Sequence, residues 1–234
     1  MKTSLIIAAL PVMMSHGCAF GIDGSGNVIT ENRTVQKFTG IDLQCSANVY
    51  FTQGDEQSVR VEAEDNIITH IVTEVKNDEL VVTTDGKDFN SHNQINVYVT
   101  VKDLCLLELS GSGNMIGKSH INCDNMVIRI GGSGDIKADV RSLSMKINVS
   151  GSGNMEVSGT AASTDVRIAG SGNVNAKNLD VMTSAVSISG SGQSTINASE
   201  QLSVSISGSG NVHYIGEPQK LSTSITGSGS VTKI

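Results

Sequence analysis

The chain has 234 residues, 38% of them hydrophobic, and its 16 basic and 23 acidic side chains give a formal net charge of -7. A negative chain without a basic patch repels nucleic acid and anionic lipid surfaces, so we expect no nucleic-acid partner. The 25 Gly, 2 Pro, absence of Trp and 3% aromatic content favour many thin, regular strands over a thick aromatic core. The apolar fraction is too high for a disordered chain.

Residues 1–17 have the pattern of a signal peptide, with an apolar stretch over residues 5–14 that is too short to span a bilayer. A small residue then directly precedes Cys18, which resembles the lipobox where bacteria cleave the chain and attach diacylglycerol to the cysteine. The sequence therefore predicts an exported outer-membrane lipoprotein, bound to the membrane through a lipid on Cys18 and facing the cell surface or the periplasm. Cleavage by an ordinary signal peptidase after Gly17 or Ala19 is the alternative.

The N-terminal part of the mature chain has a less regular sequence pattern than the remainder, without complete copies of a repeat. We predict a tether over residues 18–38 and a strand-rich N-terminal part of a solenoid over residues 39–104. Residues 41–49 read as a degenerate copy of the repeat described next, so the first coil begins near Thr39. A helical turn is expected within residues 65–70. The predicted strands are Val59–Ala63, Ile71–Lys76, Leu80–Thr84 and Ile95–Val101, with turns at Asn77-Asp78 and Asp85-Gly86.

Gly-Ser-Gly recurs through residues 105–234, which we predict to form regular β-solenoid coils. Copies begin at positions 111, 132, 151, 170, 190, 208 and 227, with spacings of 18 to 21 residues. Apolar and polar residues alternate before each copy, as in residues 145–149, and this is the signature of a half-buried strand. A polar and usually an apolar residue follow, so a second short strand comes after the turn. Coils of about 19 residues that stack at ~4.8 Å bury one continuous apolar column.

The repeated motif is predicted to form the corner between the two strands of each coil. Glycine permits the unusual dihedrals and close backbone approach that stacked corners need. Asparagines of successive copies are expected to form an amide ladder, and the serines between the glycines a surface row. The corner residues are Gly111, Gly113, Asn114, Gly132, Gly134, Asp135, Gly151, Gly153, Asn154, Gly170, Gly172, Asn173, Gly208, Gly210 and Asn211.

Three cysteines remain besides Cys18, an odd number that argues against a disulfide framework. Cys45 and Cys105 are in phase with neighbouring apolar residues, so the favoured interpretation is small buried hydrophobic side chains. A structural bridge between Cys105 and Cys123 is the alternative.

The chain resembles the head GIN domain family of auto-transporter adhesins, which are exported bacterial lipoproteins. The resemblance runs from about Gly24 to Ile234 and rests on four elements: residues 24–28 (Gly-Ser-Gly-Asn-Val), residues 35–41, residues 53–62, and the Gly-Ser-Gly-Asn array. It implies a right-handed β-helix, a cell-envelope location and a role in adhesion, and it supplies no catalytic residues. This sequence departs from the pattern at Cys45-Ser46-Ala47, where Gly-Ser-Gly would be expected.

The sequence carries no catalytic or metal-binding pattern. No copy of the motif completes a phosphate-binding loop, and the spacing never approaches that of calcium nonapeptide repeats. The carboxylates of the array occupy differing positions of the coil, and the histidines lack metal-ligand spacing. We therefore expect no enzyme activity, no cofactor and no metal; a polysaccharide-cleaving enzyme is the less favoured alternative.

The expected function is a non-catalytic envelope protein, an adhesin or other ligand-binding β-helix, with a glycan or an envelope protein as its partner. The candidate ligand contacts are Tyr50, Phe51 and Tyr214, because glycan platforms use exposed aromatic rings; a flat polar face of Ser and Asn rows is the alternative. No acidic run follows Cys18 as an export signal, so a periplasmic structural or assembly lipoprotein is a second candidate. Unpaired strand edges at a solenoid end predict that the final coil is covered by its own tail or by a second subunit, giving a homo-oligomer.

Overall fold

The computed structural model describes residues 21–234, so the predictions about the signal peptide and Cys18 lie outside the described residues. The fold is all-β, and its only helical element among these residues is a 3-10 turn, Ile68–His70. No helix in this part of the chain is long and apolar enough to cross a membrane. The N-terminal strands are β1 (Ile22–Asp23), β2 (Val28–Arg33), β3 (Gly40–Leu43), β4 (Asn48–Gln53), β5 (Ser58–Glu64), β6 (Ile71–Lys76), β7 (Glu79–Thr84), β8 (Phe89–Asn90) and β9 (Asn96–Val101). The array strands are β10 (Leu106–Leu109), β11 (Asn114–Asn122), β12 (Asn125–Ile130), β13 (Asp135–Val149), β14 (Asn154–Gly170), β15 (Asn173–Gly190), β16 (Gln193–Gly208), β17 (Asn211–Ile215), β18 (Lys220–Gly227) and β19 (Ser230–Lys233).

The array from β10 to β19 is a β-solenoid of about seven turns with coils of about 19 residues, as predicted. Each coil contributes one strand before its Gly-Ser-Gly segment and one after it, and both pair in parallel with the next coil. We call the two surfaces the leading sheet and the trailing sheet. The leading sheet contains β3, β7, β10, β12, β18 and the C-terminal halves of β13 to β16; the trailing sheet contains β4, β9, β11, β17, β19 and the N-terminal halves of β13 to β16.

The core is the set of apolar columns between the two sheets. Because the strands are in register, side chains of one type lie directly above one another at each inward position. One such column, at most 2% exposed at any member, is Ile128, Ile147, Val166, Val186 and Val204. Burying each aliphatic side chain contributes roughly 1.5–3 kcal/mol, so the stack provides most of the driving force for folding.

The first two coils are stacked in an order that differs from their order in the chain. Strands β7 and β9 form the outermost coil, on which β3 and β4 lie, and β10 and β11 follow on the other side of β3 and β4. The predicted strands of residues 59–101 are present within a few residues of their expected bounds. The predicted turns are also present, with positive φ at Asn77 (50°), Asp78 (63°) and Gly86 (88°).

The N-terminal end of the solenoid is capped by antiparallel strands. Strand β5 pairs with β9, β6 with β7, and β2 with β5 over its whole length. The prediction of a tether over residues 18–38 therefore needs correction, since residues 22–23 and 28–33 are strands. Residues of β2 alternate between exposed and half-buried, and the strand pairs with the edge of β5 that faces away from β9. Without β2 that edge would be unpaired.

Cys105 and Cys123 form a disulfide, with Cα atoms 5.6 Å apart; Cys105 directly precedes β10 and Cys123 directly follows β11. The favoured interpretation of Cys105 as a small buried thiol was wrong, because the turn between β11 and β12 brings Cys123 within bonding distance of it. Closing a loop of this length stabilises the fold by about 3 kcal/mol. Cys45 is a free, half-buried thiol packed against the core, and burial raises the pKa of that thiol.

Candidate ligand-binding face

The Gly-Ser-Gly segments lie between the leading and trailing strands, where the backbone of one coil rests directly on the next. A Cβ atom on Gly134 would lie 1.8 Å from the carbonyl oxygen of Gly113, and one on Gly153 would lie 2.1 Å from that of Gly134. The first glycines of the later copies have φ of 125° to 147°, a region that L side chains rarely adopt. The serines between the glycines are exposed.

The departure at Cys45-Ser46-Ala47 also has a steric explanation. Side chains on Gly111 and Gly113 would collide with the backbone of Cys45 and Ala47. Beneath Cys45 and Ala47 lies the irregular connection between β7 and β9, which is no copy of the motif. Glycine is therefore required from the second corner onward.

Directly after each corner, polar side chains form a ladder along the outer surface of the trailing sheet. Asn114 donates to Asn48 (3.0 Å), Asn154 to Asp135 (2.9 Å) and Asn173 to Asn154 (2.8 Å). We call this column the amide ladder. Its in-register members are Asn96, Asn48, Asn114, Asp135, Asn154, Asn173, Gln193, Asn211 and Ser230.

A shallow groove of about 460 Å³ runs beside the amide ladder across four coils. Met115, Ile136 and Met155 lie beneath it, and each is at most 1% exposed. The second wall is the next outward column of the same strands. The side chains of the two walls are Asn114, Asp135, Asn154 and Asn173 on the ladder, and Ile116, Lys137, Glu156 and Asn175 opposite. We call this depression the axial groove.

The axial groove offers both hydrogen-bond donors and acceptors at the strand spacing. Each asparagine amide has an NH₂ group and a carbonyl oxygen, and the ladder bonds use only part of this capacity. Lys137 and Glu156 face each other across adjacent coils at 3.2 Å, and both remain largely exposed. Such an array suits a ligand that repeats its own hydroxyl or amide groups along an extended chain.

The predicted aromatic contacts are not an open platform. Tyr50 stacks on Tyr98 with ring centroids 5.2 Å apart, and Arg60 covers the other face of Tyr98 at 4.4 Å while Lys118 lies over Tyr50 at 4.6 Å. Both rings therefore present their edges, and a sugar cannot stack on either face unless Lys118 moves. Tyr98 was missed from sequence because its partner Tyr50 is 48 residues away.

The other two predicted contacts are placed differently. Phe51 is fully buried in the core, so its selection as a ligand contact was wrong: it occupies an inward position of β4, next to the outward Tyr50. Tyr214 is half-buried and packs against the core near the last coil. Neither lines the axial groove.

The structure brings together carboxylates that the sequence spacing did not connect. Asp42 and Glu108 are paired in register on the leading sheet, and, after burial, both carboxylates raise the pKa of the neighbouring Glu79. Burial, and secondarily Glu108, raises the pKa of Asp42, although a hydrogen bond from Gln44 opposes the shift. In residues 21–234 no group of three His, Cys, Asp or Glu side chains is arranged to hold a metal ion.

A second groove, of about 1010 Å³, lies at the other turn of the coil, where the trailing strands end. Leu143 and Met182 project there with 62% and 48% of their surfaces exposed. Asp124, Asp180 and the Cys105–Cys123 disulfide also line it. This surface is separate from the axial groove, and Ala162 lies in register between Leu143 and Met182, so the three side chains form one outward column.

Solved structures similar to this chain are named as adhesins or as a lipid-binding protein. A putative adhesin from Bacteroides fragilis is 27% identical with a TM-score of 0.85, covering 92% of this chain and 100% of its own. A putative lipid binding protein from Parabacteroides distasonis is 27% identical with a TM-score of 0.76, covering 91% and 99%. A putative adhesin from the same organism, 22% identical with a TM-score of 0.75 and the same coverage, shows the shared fold alone. A comparison with curated proteins found no match.

The family comparison agrees with the resemblance carried by the repeat. Residues 37–218 match the family model described as "Putative auto-transporter adhesin, head GIN domain". This match spans the coil of β3 and β4, the capping strand β5 and the array as far as β17. The chain therefore belongs to the head GIN domain family.

Proposed function

We propose that this chain is a non-catalytic, exported cell-envelope adhesin that binds a neutral glycan along the axial groove. The observation that carries the proposal is the repetition of polar side chains along one groove. The ladder wall is polar in four successive coils, and the opposite wall is polar in three of them, with Ile116 in the fourth. Each coil supplies at least one polar side chain, so a polymer whose units repeat at a comparable distance can be held by many weak contacts.

The chemistry of the groove favours a neutral ligand. The net charge of -7 repels polyanions, and the one lysine of the groove is already paired with Glu156. Sugar hydroxyls both donate and accept hydrogen bonds, as asparagine amides do. The coverage of Tyr50 and Tyr98 means that recognition relies on the amides rather than on aromatic stacking.

A glycan array with the chain from residue 21 onward tests this proposal. Replacing both groove partners, Lys137→Ala with Glu156→Ala, should weaken binding of the glycan at least tenfold, because it removes two polar groups of one wall. The matched control is the ion pair between Arg129 and Glu108 on the leading sheet, 2.9 Å apart across adjacent coils. Its double alanine variant should bind as the wild type does. A folded wild type that binds no neutral glycan, or equal losses in both variants, would refute the proposal.

We further propose that a lipid on Cys18 anchors the protein in the outer membrane. The family name supports display on the cell surface, while a periplasmic structural or assembly lipoprotein remains the second candidate. Protease treatment of intact cells distinguishes them, with a Cys18→Ala variant beside the wild type. Digestion of wild-type protein supports the adhesin; full protection, with release of the variant into the soluble fraction, supports the periplasmic lipoprotein. A variant that stays in the membrane fraction contradicts the lipid anchor.

A further inference from the structure

The two ends of the solenoid differ in how their edges are covered. At the N-terminal end β5 and β6 cover β9 and β7. Within residues 21–234, the final strands β18 and β19 pair only with β16 and β17, on one side each. The prediction that a tail of this chain covers the final coil is therefore not met by the described residues.

The last coil exposes apolar side chains that are buried in the coil beneath it. Leu221 and Ile225 are 45% and 43% exposed, whereas their in-register neighbours Leu202 and Ile206 are at most 1% exposed. Every residue of β18 is exposed. The end of the core column is thus open, and it combines apolar side chains with the unpaired main-chain groups of two strands.

A partner for this end must match it in cross-section. It has to present two strand edges at the separation of the leading and trailing sheets, with apolar side chains between them. The N-terminal end of another copy does not offer this, because its free edges belong to the capping strands β2 and β6, and β2 lies one strand farther from the outermost coil than β6 does. A head-to-tail contact would therefore not pair both edges at once. The C-terminal end of another copy offers all of these features.

We propose that two copies of this chain join end to end through β18 and β19, related by a two-fold axis perpendicular to the solenoid. Each β18 pairs antiparallel with β18 of the second copy, and the two β19 strands meet at their C-terminal ends. An isologous contact of this kind closes on itself and covers the edge of β18 in both copies.

The sequence of β18 favours one register for this pairing. With Thr223 on the two-fold axis, Leu221 lies opposite Ile225 of the other copy and Thr223 opposite itself. Apolar pairs and Thr–Thr pairs are both favourable across antiparallel strands. Lys220 lies opposite Thr226, so no like charges oppose each other on this strand.

The dimer places the trailing sheets of both copies, and with them the two axial grooves, on one surface. A polymer long enough to reach both would gain avidity without any new contact in the groove. The dimer itself does not depend on the proposed glycan binding, and the experiment below uses no ligand.

Cysteine cross-linking tests the register directly, in the chain from residue 21 onward with Cys45→Ala to remove the free thiol. Thr223→Cys should form a disulfide-linked dimer on oxidation, because directly opposed residues on antiparallel strands have the Cα separation that a disulfide needs. Ser222→Cys lies on the outward face of the same strand and opposite Ser224, so it should stay uncross-linked. Equal cross-linking of the two variants would overturn the proposed register.

Light scattering measures the assembly without a cross-link. The chain should have twice its monomer mass, and Thr223→Lys should return it to the monomer mass because two lysines would meet on the axis. Ser222→Lys is the matched control and should remain dimeric, with circular dichroism confirming that both variants are folded. A wild type that is monomeric at every concentration would overturn the proposal.

Discussion

The N-terminal cap and the regular array use the same four-residue sequence in two different ways. In the cap, residues 24–27 wrap around two carboxylates: the Gly26 amide donates to Glu64 (3.0 Å), and Ser25 and Asn27 donate to Asp65. In the array, the copies stack on each other, and the asparagine of one coil donates to the polar residue of the coil beneath it.

The cap depends on a single side chain, whereas the array depends on the close stacking of its corners. Glu64 is fully buried, and besides Gly26 it accepts hydrogen bonds from the amides of His92 (2.7 Å) and Asn93 (2.8 Å), so one side chain holds two loops together. In the array, the partner of each corner is the next corner. Removing one side chain from the array surface should therefore cost little stability, because similar side chains lie in the neighbouring coils. A change that forces two coils apart has no such compensation.

The largest expected effect on stability comes from a substitution that forces two stacked coils of the array apart. Gly134→Ala places a methyl group 1.8 Å from the carbonyl oxygen of Gly113, so two coils must separate locally. We expect a loss of about 3 kcal/mol in the free energy of unfolding, measured by urea denaturation. Gly131→Ala is the control three residues away, where the methyl group would meet only Ser150 Oγ at 3.9 Å. It should change stability by less than about 0.5 kcal/mol, and a similar loss in both variants would contradict this account.

Much of the fold was predictable because the array repeats itself. The copies of Gly-Ser-Gly and the alternation before them fix the coil length, the two strands of each coil and the inward residues. The turns of the N-terminal part were also predictable, since Asn77-Asp78 and Asp85-Gly86 carry their own conformational preferences.

The features that were not predictable depend on contacts distant in sequence. Nothing local indicates that β7 and β9 lie outside β3 and β4, or that β5 turns back to cap them. The same reason explains the missed stack of Tyr50 on Tyr98 and the carboxylate of Glu64 between two loops. A buried phenylalanine and an outward tyrosine, as in Phe51 and Tyr50, are distinguished only by the phase of the strand.

A smaller and pH-dependent effect is expected from the carboxylate of the cap. Hydrogen bonds, the first from Gly26, lower the pKa of Glu64 to about 2 from its ordinary 4.5. A folded-state pKa below the unfolded value contributes stability that is present above pH 4.5 and lost as pH falls towards 2. Glu64→Gln should therefore be less stable than the wild type at neutral pH, and the difference should shrink across that window.

Urea midpoints of wild type and variant from neutral pH down to pH 2 measure this difference. Glu200→Gln, an exposed change at a coil turn of the array, is the control and should follow the wild type throughout. A difference for Glu64→Gln that is independent of pH would mean that the side chain acts through its shape rather than its charge.

The smallest effect has the opposite sign and comes from Asp42, where the cap meets the array. Burial raises the pKa of Asp42, and its Oδ1 has no hydrogen-bond partner, so the ionised form weakens the fold above the folded-state pKa. This cost disappears as pH falls through that pKa, whereas the contribution of Glu64 is lost on acidification. Asp42→Asn should thus stabilise the protein at neutral pH, by less than about 1 kcal/mol because the oxygen that accepts from Gln44 (2.6 Å) is retained. Thermal unfolding of the variant at neutral and acidic pH measures the gain, which should vanish in acid. A loss at neutral pH would mean that the charge strengthens the bond from Gln44 by more than burial costs, and that a strand surface can hold a carboxylate as the loops around Glu64 do.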